Sequence, residues 1–228
     1  MQIITPLAIL LISYLVGAIP FGWVIVKIGT GRDIRSIESG RTGGTNAWRA
    51  AGIFAGFLTV LMDVVKGAAA VWIARWLLPV DFPYRVWIEA AAPLMAILGH
   101  NYSIYLLERH ETTGRLRLRG GAGGATCLGG AIGLWPPIVL YILPLALFIY
   151  LFIGYASITT MSVAFFAIVV FAIKAVQGVL PWQYLLFGVI AELMLIWALR
   201  PNLERLRRGT ERLHGFRVWL RRNKKTVR

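Results

Sequence analysis

Apolar runs of about 20 residues alternate along this 228-residue chain with short polar, arginine-bearing interruptions. A run of that length crosses the roughly 30 Å hydrocarbon core of a bilayer as a helix. The pattern predicts helices over residues 4–27, 50–77, 87–107, 122–134, 137–153, 157–175 and 180–199. Ser13, Gly17, Pro20 and Gly22 interrupt the first run. Small residues let neighbouring helices approach closely, and Pro20 should kink this one. Pro136 and Pro137 break what would otherwise be a single helix over residues 124–153. The break leaves residues 122–134 as a helix only about 20 Å long at 1.5 Å per residue. Such a helix must thin the bilayer or be shielded by protein.

Composition agrees with lipid as the solvent. Charged residues make up 15% of the chain and hydrophobic residues 58%, against roughly 25% charged in soluble domains. The net charge of +14 could suggest nucleic acid, but the basic residues sit in interhelical loops and a C-terminal tail, which argues for membrane topology. Seven crossings place loop 29–49 with four arginines, loop 108–121 with four, and the tail from residue 200 with eleven Lys/Arg on one side. Six would send the tail to the opposite face, against the positive-inside rule. The expected architecture is therefore an all-α polytopic membrane protein of about seven transmembrane helices. Its N-terminus lies outside and its C-terminus in the cytoplasm. Residues 1–199 form the transmembrane domain and residues 200–228 a basic cytoplasmic tail. The first run lacks a basic n-region and a small-residue cleavage site, so it reads as a retained helix. A single cysteine, Cys127, excludes an intrachain disulfide, and His100, His110 and His214 show no metal-ligand spacing. No metal or other cofactor is expected.

The chemistry concentrates between residues 33 and 49. Gly40, Gly43 and Gly44 let backbone N–H groups turn inward, Ser39 and Thr45 add donors, and Arg41 and Arg49 offer planar forks that match phosphate oxygens. A solvated connector obeying the positive-inside rule is the plainer reading, but Ser-Gly followed by Gly-Gly-Thr-Asn favours a phosphate site. Asn46 belongs to the same stretch. A second candidate is Arg119-Gly120-Gly121-Ala122-Gly123-Gly124-Ala125-Thr126, a glycine-rich turn opening an apolar helix just after a run of arginines. Backbone N–H groups at a helix N-terminus favour an anion; a glycine seam for helix packing is the alternative. Asp63 and Lys66, spaced i,i+3 inside the second helix, read equally as a clamp or as catalytic groups. His100 is a candidate general base, although a packing histidine fits as well. Ser157 in the turn between helices five and six, and Asn202 and Arg205 at the start of the tail, reach the same face under this topology.

These residues carry a family resemblance. Ser13-Tyr14-Leu15-Val16-Gly17-Ala18-Ile19-Pro20-Phe21-Gly22, Asp33-Ile34-Arg35, Ser39-Gly40, Gly43, Thr45-Asn46 and Arg49 open it. Asp63-Val64-Val65-Lys66-Gly67, Gly99-His100-Asn101-Tyr102, Gly120-Gly121, Gly123, Ala125-Thr126, Asn202, Arg205-Leu206, Gly209 and Glu211 complete it. The chain resembles the membrane-integral bacterial glycerol-3-phosphate acyltransferases that use acyl phosphate as donor. The resemblance implies a seven-helix inner-membrane enzyme with a cytoplasmic active site. It would move an acyl group from acyl phosphate to the 1-hydroxyl of glycerol 3-phosphate, giving lysophosphatidic acid and phosphate. Ser39, Thr45 and Arg49 would be catalytic. Gly40, Arg41, Gly43, Asn46, His100, Arg119, Gly120, Gly121, Gly123, Thr126, Ser157, Asn202 and Arg205 would bind substrate or phosphate. Five positions depart from the family pattern. Glu38 and Arg41 flank Ser39-Gly40 where the family has glycine and asparagine, Ala122 and Gly124 stand where it has lysine and valine, and Leu199 stands where it has a pocket histidine. The alternatives are a non-catalytic or altered-substrate paralogue that binds phosphate-bearing lipids, and an anion transporter. The latter is opposed by the lack of broken-helix pairs and internal repeats. The expected partners are acyl phosphate, glycerol 3-phosphate and the lipid bilayer, with no nucleic acid.

Overall fold

A computed structural model describes residues 3–109, 114–214 and 216. Helix α1 (Ile4–Ala18) stops at Ile19-Pro20, and α2 (Phe21–Thr30) resumes and ends on Gly31 at φ +70°. Together they form one apolar span, kinked at the expected proline. Loop 29–49 is more ordered than its polarity suggests. It holds a 3₁₀ turn at Ile34–Ser36 and a short helix α3 (Gly44–Ala51). Gly52, at φ +89°, redirects the chain into α4 (Ile53–Leu77), so the second long helix starts at Ile53 and not at residue 50. After α5 (Arg85–Asn101) come α6 (Gly124–Leu134), α7 (Val139–Phe148), α8 (Ala156–Val176) and α9 (Gln183–Arg207).

Among the described residues, five helical segments are long and apolar enough to cross a membrane: Ile4–Thr30, Ile53–Leu77, Pro136–Ile153, Ala156–Val176 and Gln183–Arg207. The two remaining crossings expected from sequence fall on α5, of 17 residues, and α6, of 11. Both are mostly enclosed by other helices, with α6 packed on α4, α5 and α8. The all-α expectation needs one correction. The helix drawn to residue 107 ends at Asn101, and Ser103–Arg109 (β1) pairs antiparallel with Leu116–Arg119 (β2). Only Ser103 and Leu106 of β1 are buried and the register shifts between Ser103 and Leu107, so no clean period-2 alternation marked this strand in the sequence. The last helix also runs eight residues past its expected end, through Pro201 to Arg207.

Glycine sets how closely the helices pack. A Cβ on Gly129 would fall 1.9 Å from the Val64 carbonyl oxygen, and one on Gly67 would fall 2.1 Å from that of Thr126. So α4 and α6 touch backbone to backbone. In lipid that packing replaces the hydrophobic effect as the force between helices.

Two buried charge clusters occupy the bundle. The Lys66 ammonium lies 2.8 Å from Asp63 and donates to the Ile19 carbonyl at 2.9 Å, in the turn that Pro20 breaks. His100 Nδ1 lies 3.5 Å from the same carboxylate. The pair therefore holds α4, the α1–α2 break and α5 together, which is the clamp of the two readings. In the last turn of α4, Arg75 donates to the Gly133 and Leu134 carbonyls and pairs with Glu89, which also takes Arg85 and the Tyr184 hydroxyl. These donors satisfy the open carbonyls at the end of α6. Lys66→Met would leave Asp63 buried and unpaired, and should lower stability by about 3–5 kcal/mol. Melting in detergent should show a smaller loss for the Asp63→Asn/Lys66→Met double variant than for Lys66→Met.

Candidate active site

The two glycine-bearing loops are tied together by a backbone hydrogen bond from Thr42 N–H to the Gly120 carbonyl (3.3 Å). Asn46, buried on α3, donates its amide to the carbonyls of Ile34, Ile37 and Arg41 at 2.9–3.2 Å and so fixes the loop's shape. Gly40 turns the chain at φ +65°. Glu38 holds φ +50°, a left-handed conformation that costs a non-glycine residue about 1 kcal/mol or more. It stands where the resembling family has glycine, and its carboxylate pairs with Arg212. Beside the loop, Arg35 clamps Asp33 (2.7 Å) and reaches Glu108 on the hairpin. The guanidinium holds the Asp33 carboxyl down at about 2.

These loops bound a cavity of about 810 Å³. Its lining includes the first residues of two helices: Gly43, Gly44 and Thr45 at α3, and Gly123, Gly124 and Ala125 at α6. Each helix N-terminus presents open N–H groups and a partial positive charge. Arg41, Arg49, Arg205 and Arg212 add four guanidinium groups, and Ser39, Ser157 and Asn202 add hydroxyl and amide groups. Apolar side chains wall the same cavity, among them Trp48, Ile53, Phe57, Val60, Leu128, Leu143, Leu147 and Val163, with Val60 directly beside Gly44. Burial lowers the pKa of Arg41, and the neighbouring Arg205 charge lowers it further. Burial likewise lowers that of Arg49, against Glu38. Desolvated like charges facing one cavity favour an anion between them.

The cavity brings together Ser39, Thr45, Arg49, Arg41, Gly43, Asn46, His100, Gly123, Ser157, Asn202 and Arg205 from the sequence-derived set. Five others lie behind its wall. Thr126 is fully buried under Gly67. Gly120 and Gly121 pack on the backbone and ring of His100, where added Cβ atoms would come within 2.2 and 2.0 Å. Gly40 abuts the Arg35 carbonyl, and Arg119 is spent on Glu108. Their glycines answer to close approach, not to an open anion cradle, and Arg119 is drawn away by strand pairing. His100 does reach the cavity, yet its Nδ1 faces Asp63.

Sequence reading missed the segment that closes the site. Beyond Arg207 the chain folds back, with Leu213 bridging Tyr155 and the His214 N–H bonding the Gly154 carbonyl at 2.7 Å. Glu211 accepts from Ser157 (2.7 Å) and Asn202 (3.3 Å). Tyr150, His214 and Arg212 line the cavity beside them. Gly154, and Gly209 and Glu211 in the resemblance, were the cues the sequence held to this fold-back.

Comparison with known proteins places the whole arrangement. The sequence profile described as glycerol-3-phosphate acyltransferase matches residues 7–209. The chain belongs to the glycerol-3-phosphate acyltransferase family. It is 36% identical to the glycerol-3-phosphate acyltransferase of Thermus thermophilus over 209 residues, covering 92% of this chain and 95% of that one. It is 38% identical to the Staphylococcus haemolyticus enzyme of that name over 210 residues, covering 89% and 94%. Among solved structures, the glycerol 3-phosphate form of PlsY, an integral membrane glycerol 3-phosphate acyltransferase, superposes with TM-score 0.76 at 29% identity. The match covers 94% of this chain and 98% of that one. The lysophosphatidic acid form of PlsY superposes with TM-score 0.72 at 28% identity. This family member is thus a multi-pass membrane protein. Gly120→Ala would push a methyl into the His100 and Asn101 carbonyls. It should shift the α6 entry and cost about 1–3 kcal/mol, read as a lower melting temperature in detergent.

Proposed function

We propose that the protein transfers a fatty acyl group from acyl phosphate to the 1-hydroxyl of glycerol 3-phosphate, releasing lysophosphatidic acid and inorganic phosphate. The observation that carries this reading is the mixed lining of the cavity. Helix N-termini and guanidinium groups share a space of about 810 Å³ with a wall of apolar side chains. The relatives named for glycerol 3-phosphate, and a PlsY structure titled as its lysophosphatidic acid form, support the same chemistry.

In this mechanism the acyl chain enters from lipid along Phe57, Val60 and Leu147, and the acyl phosphate head sits among the helix N-termini and guanidinium groups. Arg49 clamps a phosphate, and Arg41 and Arg205 hold the second negative group. The acceptor hydroxyl oxygen attacks the acyl carbon and forms the ester bond. The bond between the acyl carbon and the phosphate oxygen breaks, and the hydroxyl proton ends on the departing phosphate. Negative charge developing on the carbonyl oxygen meets Ser39, Thr45 and the N–H groups opening α3 and α6. Phosphate is a good leaving group, so positioning and charge neutralisation suffice. His100, engaged by Asp63, serves packing in this reading.

The membrane arrangement completes the proposal. Seven crossings (α1–α2, α4, α5, α6, residues 136–153, α8 and α9) put the loops, the cavity and the basic tail from residue 200 at the cytoplasmic face of a bacterial inner membrane. The N-terminus is then outside. Residues 1–199 act as the transmembrane domain and residues 200–228 as the tail. Reporter fusions at residues 40 and 205 should report the same, cytoplasmic side.

The deciding assay uses purified protein with acyl phosphate and labelled glycerol 3-phosphate, scored for lysophosphatidate. Arg49→Ala should cut turnover at least about 100-fold, the usual scale for losing a charge-stabilising donor. Ala122 and Leu199 both line the cavity as apolar residues, and this favours, as a second reading, a paralogue that binds phosphate-bearing lipids without turnover. Tight binding with no product would establish that reading. Ala122→Lys should lower the KM for glycerol 3-phosphate about ten-fold, the scale of one charge-assisted hydrogen bond.

A further inference from the structure

His214 lies five positions beyond the residues shared with the family profile, which end at 209. Its place is nonetheless tightly determined. The backbone N–H of His214 bonds the Gly154 carbonyl, and Leu213 bridges Tyr155. The ring stacks on Tyr150 at 5.7 Å between centroids and 24° between planes. A side chain on Gly154 would fall 2.6 Å from the His214 carbonyl oxygen, and Gly154 sits at φ +77°. Only glycine admits the tail there.

The ring's Nε2 lies 2.8 Å from a terminal guanidinium nitrogen of Arg49. Arginine has only donors, so Nε2 accepts and the imidazole is neutral, with its proton on Nδ1. The contact occupies one nitrogen of the fork and leaves the others free for a phosphate. We propose that His214 is a positioning residue of the acyl-transfer site, which as a neutral acceptor aims the Arg49 guanidinium at the substrate phosphate. The inference rests on the acyltransferase reading of the cavity. It adds that the tail beyond the family profile belongs to the working site.

The charged and titratable groups around the ring are Arg49, Arg212, Glu211, Glu38 and Tyr150. Burial first, then Arg49 and Arg212, push the imidazole below its usual range, and Glu211 opposes them. The neutral form is therefore the resting one at neutral pH. Protonation as pH falls would remove the acceptor and set a third cation against Arg49 and Arg212. The site is intact above the imidazole pKa and weakens below it.

The test compares wild type with His214→Ala and His214→Gln in full-length protein. His214→Ala should lower kcat/KM for glycerol 3-phosphate about ten-fold, the scale of a hydrogen bond to a charged group, with an unchanged melting temperature. His214→Gln offers an amide oxygen to Arg49 and should recover most of that loss. The substrate's own phosphate ionisation shapes every pH profile alike. The wild type should show an additional fall on the acid side that His214→Gln lacks. Wild-type rates and an unaltered pH profile in His214→Ala would overturn the inference, as would a His214→Gln variant no better than His214→Ala. If wild type makes no lysophosphatidate, the acyltransferase reading fails by itself. Calorimetric binding of glycerol 3-phosphate then decides the role of His214. Weaker binding in His214→Ala that is restored in His214→Gln supports it, and equal binding in all three overturns it.

Discussion

In a bilayer interior an unsatisfied carbonyl costs several kcal/mol, and this fold breaks its helices in two places where that cost must be met. Pro20 interrupts the first span, and Lys66 crosses from α4 to cap the Ile19 carbonyl. The short α6 ends mid-bundle, and Arg75 caps Gly133 and Leu134. Each cation is in turn held by a buried carboxylate, Asp63 or Glu89. One cluster sits in the middle of α4 and the other at its last turn. They allow helices too short or too broken for lipid to stand inside it, shielded by their neighbours.

Those irregular helices create the site. The glycine-rich N-terminus of α6 opens into the cavity. Because Gly52 turns the chain between α3 and α4, the start of α3 points at the same space. The Thr42–Gly120 hydrogen bond fixes one loop against the other. Two helix N-termini then share a cavity with four guanidiniums, a concentration of positive potential that suits the two phosphates of the proposed reaction. The apolar side chains that wall this cavity include Phe57 and Leu147, which are also exposed on the outside of the bundle.

Departures from the family pattern concentrate in the lining of this cavity. Ala122 and Leu199 are apolar there, while Arg41 reaches across to donate to the Ala198 carbonyl, next to Leu199. Glu38 holds a left-handed backbone and pairs its carboxylate with Arg212 of the tail. The changed loop and the changed tail thus contact each other. Loop, helix end and tail form one charge-balanced unit, in which Glu38 and Glu211 offset part of the arginine charge.

Much of this protein was legible from its residues alone. Apolar run lengths gave the long spans, Pro20 the kink, and Pro136-Pro137 the short α6, because a missing N–H and a fixed φ act locally. The Ser39–Arg49 stretch declared itself through residue types that suit phosphate. The tertiary structure alone decided which glycines line the cavity and which pack behind it. Gly120, Gly121 and Gly40 look the same in sequence as Gly43, yet they serve close packing while Gly43 borders open space, since absence of a side chain permits either use. It also turned Arg119 to Glu108 through the β1–β2 register. It carried Glu211, Arg212 and His214 back to the cavity, a contact made across more than 150 residues between His214 and Arg49. Local chemistry writes helices and turns into the sequence, but contacts between distant segments exist only once the chain has packed.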